Sequence, residues 1–309
     1  MTVTLSALSV GPAASAALSA REATVRLHSV FPSTVNLAVE RAAVLVAMTG
    51  PLGTCYPHAV ALERAVDFKS LFFAAGDCGR IHADEIHLRG QGGDLVVTLG
   101  QARRLQARAL PEITFLGNAW GVSARRLNDF QCRSSCGLRL GALFTDAPFT
   151  ESLFVDFGAP TPFAAAVQRS ARALGRAAVA GGELGTGLSQ AVSSLVGAGA
   201  GLTPAGDDFL SGFMAASRAS GSPALVSALG EAVTVNLAAT GEISASLLRC
   251  AIEGSWPTPL ADLADALSVD NGPAALRAVE ELCRMGHSSG ADVATGFLFG
   301  VACLLREPA

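Results

Sequence analysis

The stretch from Gly197 to Asp208, GAGAGLTPAGDD, constrains this chain more than any other. Glycines on alternating positions suit neither a stable helix nor an ordinary strand, because each widens the backbone freedom that folding must remove. Thr203-Pro204 then reads as a helix N-cap followed by proline at the first helical position. Phe209, Leu210, Phe213 and Met214 continue at helical spacing. A glycine-rich loop therefore runs into a helix start, with Asp207 and Asp208 in the first turn. Free N–H groups and the positive dipole end gather there, which suits an anion. Acidic residues at such a place also serve the helix alone, at about 0.3–1 kcal/mol each. Their pairing behind so many glycines favours a functional centre.

A second stretch repeats the first. Gly206-Asp207-Asp208-Phe209-Leu210-Ser211-Gly212-Phe213-Met214 aligns without gaps on Gly290-Ala291-Asp292-Val293-Ala294-Thr295-Gly296-Phe297-Leu298. Both copies follow a polar or glycine-rich loop, the second being Gly286-His287-Ser288-Ser289. Two loop-to-helix units aimed into one pocket would explain the repeat, with Gly212 and Gly296 allowing close helix contact; chance in a small-residue helical domain is the alternative.

The candidate chemistry follows. Amides of Gly199, Gly201 and Gly206 form a possible cradle for phosphate or carboxylate. Thr203 either caps its helix or bonds the ligand. Asp207 and Asp208 point about 100° apart on a helix, so one at most faces a ligand squarely. These two carboxylates and His287 are the acid–base candidates. Ser288, Ser289, Gly290 and Asp292 complete the expected binding set. Arg26, Arg249 and Arg284 are candidate partners for a substrate carboxylate, and nothing in the sequence selects among them. No cysteine–histidine spacing suggests a metal site. A magnesium ion on Asp207 and Asp208 is the one metal reading left open.

The 309 residues exceed one usual core, and half of them are hydrophobic against 16% charged. Strand patterns fill the first half: Val25, Leu27 and Ser29 alternate, Val35–Val39 follows, and Glu85–Arg89 with Leu95–Leu99 forms a hairpin. Helices are expected there around 58–66 and 101–110, while the first twenty residues show no clear period. From Thr161 the grammar changes. Thr161-Pro162, Ser222-Pro223 and Thr258-Pro259 each open an alanine- and leucine-rich segment. Helices are expected near 163–180, 184–196, 207–219, 223–239, 242–253, 259–268, 273–285 and 291–305. The expected fold is thus α+β, a β-rich domain over 1–160 followed by an essentially all-α domain over 161–309.

A net charge of −4 without a basic stripe argues against nucleic acid. No apolar run is long enough to span a bilayer, and no basic, then apolar leader opens the chain. Seven scattered cysteines, of which only Cys132 and Cys136 are close, read as reduced thiols of a cytoplasmic protein. Walker loop, nucleophile elbow and strand-linked dinucleotide fingerprint are all missing.

The motif Gly201-Leu202-Thr203-Pro204-Ala205-Gly206-Asp207-Asp208-Phe209-Leu210-Ser211-Gly212-Phe213, together with Gly286-His287-Ser288-Ser289-Gly290-Ala291-Asp292-Val293-Ala294-Thr295-Gly296, resembles the AllH family. It departs from the family pattern at Ala205, where serine is usual. The resemblance implies a subunit of oxamate carbamoyltransferase, at the end of allantoin and purine breakdown. There oxalurate and phosphate interconvert with oxamate and carbamoyl phosphate, which a separate carbamate kinase uses to regenerate ATP. It also implies two further, unrelated subunits, one resembling acyl-CoA synthetase chains. Two other readings stay open: a magnesium-dependent phosphoryl-transfer or hydrolytic enzyme using the aspartate pair, and a non-catalytic assembly subunit whose motif only packs helices.

Overall fold

A computed structural model describes residues 2–20, 22–51, 56–134, 162–180 and 185–305. The chain divides into two units, one of Met1–Arg108 with Glu253–Thr258, the other of Ala109–Ile252 with Pro259–Ala309. The expected domain boundary between residues 160 and 161 lies outside the described residues.

The first unit is a closed sheet. Its elements are β1 (Thr2–Val10), the short helix α1 (Pro12–Ala17), β2 (Glu22–Val30), β3 (Thr34–Val39), β4 (Val46–Thr49), β5 (Ala59–Leu62), β6 (Cys78–His82), β7 (Glu85–Gly90), β8 (Gly93–Thr98) and β9 (Arg103–Arg104). The strand order is β5-β4-β3-β2-β6-β7-β8-β1, and β1 pairs back onto β5, so eight strands close into a barrel-like ring with β9 appended to β1. Closure removes the exposed edges that an open sheet would leave. Alternation decides which face is inward: Val25 and Leu27, Ile86 and Leu88, Leu95 and Val97 all bury into one apolar core.

Two features of this unit differ from the sequence expectation. The first twenty residues form β1 and α1. Their period is obscured because the β1–β5 register slips between Ala7 and Ser9, so burial passes from Leu5 and Ala7 to the adjacent Ser9 and Val10. The helices expected around 58–66 and 101–110 are absent. Residues 59–62 are the buried strand β5, and 101–110 hold only the two-residue β9. A short apolar run reads alike as helix or buried strand until its partners are known.

The second unit is helical: α2 (Asn118–Ser134), α3 (Pro162–Val179), α4 (Thr186–Leu195), α5 (Ala205–Ala219), α6 (Pro223–Asn236), α7 (Glu242–Ile252), α8 (Thr258–Ser268), α9 (Gly272–Cys283) and α10 (Ser289–Leu304). The eight expected helices from residue 161 onward are all present, so the α+β class holds. No helix among the described residues is long and apolar enough to cross a membrane. Helix α2 was not legible. Its buried positions, Ala119, Trp120, Ser123, Ala124, Leu127, Asn128 and Gln131, follow a perfect helical stripe, yet three of the seven are polar. Trp120 Nε1 donates to the Leu298 carbonyl at 3.0 Å, and Gln131 Nε2 to Thr295 Oγ1 at 2.8 Å. Such satisfied polar groups are compatible with a core but hide it from a hydrophobic pattern.

The unit is organised around α5 and α10. Gly212 faces the Val293 carbonyl, where an added Cβ would sit 2.0 Å away, and Gly296 faces the Phe209 carbonyl at the same 2.0 Å. Phe209 and Val293 are equivalent positions of the repeat, so the contact is reciprocal. Gly300 in turn lies against Phe213 and Ala216. Partners advance together along both helices, which therefore run parallel with their N-termini side by side. Phe209, Phe213 and Phe299 seal the pair, with ring centroids 5.7–6.3 Å apart.

Candidate functional site

The two N-termini bring both halves of the repeat together. Thr203 Oγ1 and Ser289 Oγ hydrogen-bond at 2.7 Å, joining the loop before α5 to the first residue of α10. Thr203 does not cap its helix: the N-cap position is Pro204, which has no side-chain bond to offer. The hydroxyl turns across the helix pair instead.

Asp207 is engaged entirely within the protein. Its Oδ1 accepts from the Gly197 amide at 2.7 Å, and its Oδ2 from Thr240 Oγ1 at 2.5 Å and Ser244 Oγ at 2.6 Å. Charge-assisted bonds of this kind contribute about 1.5–3 kcal/mol each. They tie the glycine loop, α5 and the start of α7 into one knot. Gly197 has φ +74°, and a Cβ there would stand 2.4 Å from the Ala239 carbonyl, so only glycine passes under that turn. Neither Thr240 nor Ser244 is marked by any motif; a Thr-x-x-x-Ser spacing at a helix start was the only local trace.

Asp208 is in a different state. It is 4% exposed, and its Oδ2 accepts no hydrogen bond. Burial first, then the charge of Asp292, holds its carboxyl well above the ordinary carboxylate range; hydrogen bonds from Ser289 and Thr203 oppose the shift, while Asp207 adds to it. Asp292 is fully buried in the first turn of α10. The two repeat-equivalent aspartates thus act on each other across the parallel helix pair.

Several expected donors are occupied. The Gly206 amide donates to Ala198 O at 2.8 Å, and the Gly290 amide to Met285 O at 3.1 Å. Gly199 and Gly201 lie in the loop with positive φ, Gly201 exposed. Ser288 is the N-cap of α10 and its carbonyl accepts from the Asp292 amide at 2.9 Å. His287 sits exposed on the preceding turn. Of the arginine candidates, Arg284 is paired with Glu281, and Arg26 lies on β2 in the other unit. Among the described residues, no group of three or more His, Cys, Asp or Glu is placed to hold a metal ion. Cys78, Cys132, Cys250, Cys283 and Cys303 form no disulfide among the described residues, while Cys55 and Cys136 lie outside them.

Everything in this junction falls between α4 and α10. Residues 195–301 match the family model of the oxamate carbamoyltransferase subunit AllH. The AllH match takes in the glycine loop, the Asp207 knot with Thr240 and Ser244, and both halves of the repeat. No solved structure matches the chain. The AllH description names a subunit, which implies a complex with other carbamoyltransferase components. The residues that the AllH span brings together are Thr203, Asp208, Ser289 and Asp292 at the two helix starts, with Asp207 in the same turn as Asp208.

Proposed function

We propose that the chain works in oxamate carbamoyltransferase, its paired loops 197–208 and 286–292 holding small anions during the interconversion of oxalurate plus phosphate with oxamate plus carbamoyl phosphate. On this reading it acts in the cytoplasm at the end of allantoin breakdown, beside the other subunits of the enzyme, one of them similar to acyl-CoA synthetase chains. The observation that carries the reading is Asp208, a buried carboxyl with one oxygen accepting no bond, set where two helix N-termini adjoin.

The chemistry needs such a group. In phosphorolysis a phosphate oxygen bonds to the ureido carbon, the bond from that carbon to the oxamate nitrogen breaks, and the nitrogen must gain a proton. A neutral carboxyl supplies it, then regains one from the attacking hydrogen phosphate, so protons and charge balance. A raised carboxyl pKa suits this role because an ordinary aspartate is ionised at neutral pH. Asp208 is then the catalytic residue and Asp207 a positioning residue that fixes the loop. His287 is a further candidate contact at the rim. A magnesium-dependent reaction has less support, since both Asp207 oxygens already accept protein donors.

A purely structural motif is the second reading, favoured by the glycine-lined helix contact and the Asp207 knot. Asp208→Asn separates the two. With the complex reconstituted, carbamoyl phosphate formation from oxalurate and phosphate should fall about 10²–10⁴-fold, while the melting temperature of the chain changes little. Turnover near wild type would remove Asp208 from the mechanism and leave the assembly role.

A further inference from the structure

We infer that the paired N-termini of α5 and α10 form a single oxyanion site in which Asp208 is a hydrogen-bond donor, so that the anion and one proton bind together.

Three observations lead there. Two parallel helices with backbones in contact align their dipoles, so two positive ends adjoin at Ala205 and Ser289. The Gly206, Asp207, Asp208, Gly290 and Asp292 amides already donate to carbonyl oxygens, so the dipole ends themselves and the nearby hydroxyls are what they offer an anion. Parallel dipoles in contact repel, and an anion over both ends relieves that cost. Hydroxyls of Thr203 and Ser289 bridge the two ends, and each can turn to a ligand. The third observation is the buried Asp208 Oδ2, which accepts no bond at the same junction. An ionised carboxylate there would face both a missing donor and a bound anion. A neutral carboxyl resolves both difficulties, because its O–H donates to the anion.

The charged groups acting on Asp208 are Asp292 from α10 and Asp207 from its own helix. Asp207 has its charge solvated by three donors and acts on Asp208 less than Asp292 does. Burial first, and then Asp292 acting across the helix pair, keep the Asp208 proton in place. By linkage, an anion that raises the proton affinity of Asp208 is itself bound more tightly when the proton is present. The inference rests on the carbamoyltransferase reading only for the identity of the anion, the phosphate or the phosphoryl group of carbamoyl phosphate. The site itself follows from the helix pair.

The test uses the purified full chain and inorganic sulfate, whose charge is constant between about pH 5 and pH 9, with inorganic phosphate as the second probe. Calorimetry in two buffers of different ionisation enthalpy counts the protons taken up. We expect uptake approaching one proton per sulfate above the free-state pKa, and an affinity that falls roughly tenfold per pH unit there. Asp208→Asn should bind sulfate with no uptake and little pH dependence, and Asp292→Asn should move the fall to lower pH. Ser289→Ala, which leaves both carboxyl groups in place, should weaken sulfate binding without abolishing the uptake. Absence of sulfate and phosphate binding at every pH, an adventitious ion bound without proton uptake, or unchanged uptake in Asp208→Asn would each overturn the inference. Proton-linked sulfate binding in a chain whose reconstituted complex makes no carbamoyl phosphate would sustain the site and reject the carbamoyltransferase reading.

Discussion

Thr203 and Ser289 stand 86 positions apart in the chain and meet hydroxyl to hydroxyl at 2.7 Å. That bond spans the seam between the two halves of the repeat. It makes the loop before α5 and the start of α10 one structural unit at the mouth of the helix pair. Its energy should be measurable as a coupling. Thr203→Val, Ser289→Ala and the double variant, compared by urea unfolding, should give a coupling energy of about 0.5–1.5 kcal/mol. Strict additivity would show that the loops fold independently.

Gly212→Ala and Gly296→Ala each place a methyl group 2.0 Å from a carbonyl oxygen of the other helix. Neither backbone can yield without parting the pair. Each should lower stability by about 2–4 kcal/mol. Gly241→Ala, which meets nothing within 4 Å, should change it by less than about 0.5 kcal/mol. Chemical denaturation midpoints of the three variants decide the matter, and equal midpoints would contradict the close contact.

Adjacent aspartates should respond in opposite ways. Asp207→Asn turns an NH₂ group toward donors and loses the charge they solvate, at about 2–4 kcal/mol. Asp208→Asn replaces a carboxyl whose ionised form burial and Asp292 oppose with a neutral group of the same shape, so stability at pH 8 should hold within about 1 kcal/mol or rise. Thermal unfolding of both at pH 8 tests this. A larger loss for the Asp208 variant would reverse the assignment of roles.

His58 gives the first unit an acid sensitivity of its own. It is buried next to Tyr56, its Nδ1 has no hydrogen-bond partner, and burial lowers its pKa to about 4 from 6.5. Below pH 6.5 the unfolded chain takes a proton that the folded one refuses until about pH 4. Stability should therefore fall as pH drops across that window, by about 3 kcal/mol in full. His58→Leu should flatten this part of the stability–pH curve, and an unchanged slope would exclude His58 as its source.

Local signals were sufficient for much of the molecule. Ser222-Pro223 and Thr258-Pro259 open α6 and α8 as expected, and the 85–99 hairpin closes between Gly90 and Gly93. Proline geometry and side-chain alternation act over a few residues, so they can be read without knowing what the chain packs against. Helix α2 and strand β5 were missed for the complementary reason. Gln131 belongs in a core only because Thr295 is there to receive it, and residues 59–62 become a strand only between β4 and β1.

The same division runs through the candidate site. The sequence by itself determined that a glycine loop and a polar turn each enter a helix with an aspartate in its first turn, because those features are adjacent along the chain. Only the tertiary structure decided that the two helices lie parallel and touch at Gly212 and Gly296. Only it decided that Asp207, not Asp208, receives Gly197, Thr240 and Ser244. A carboxylate at one helical position and its neighbour have equal intrinsic chemistry. What separates them is the roughly 100° turn between their side chains, and which returning segment meets each one.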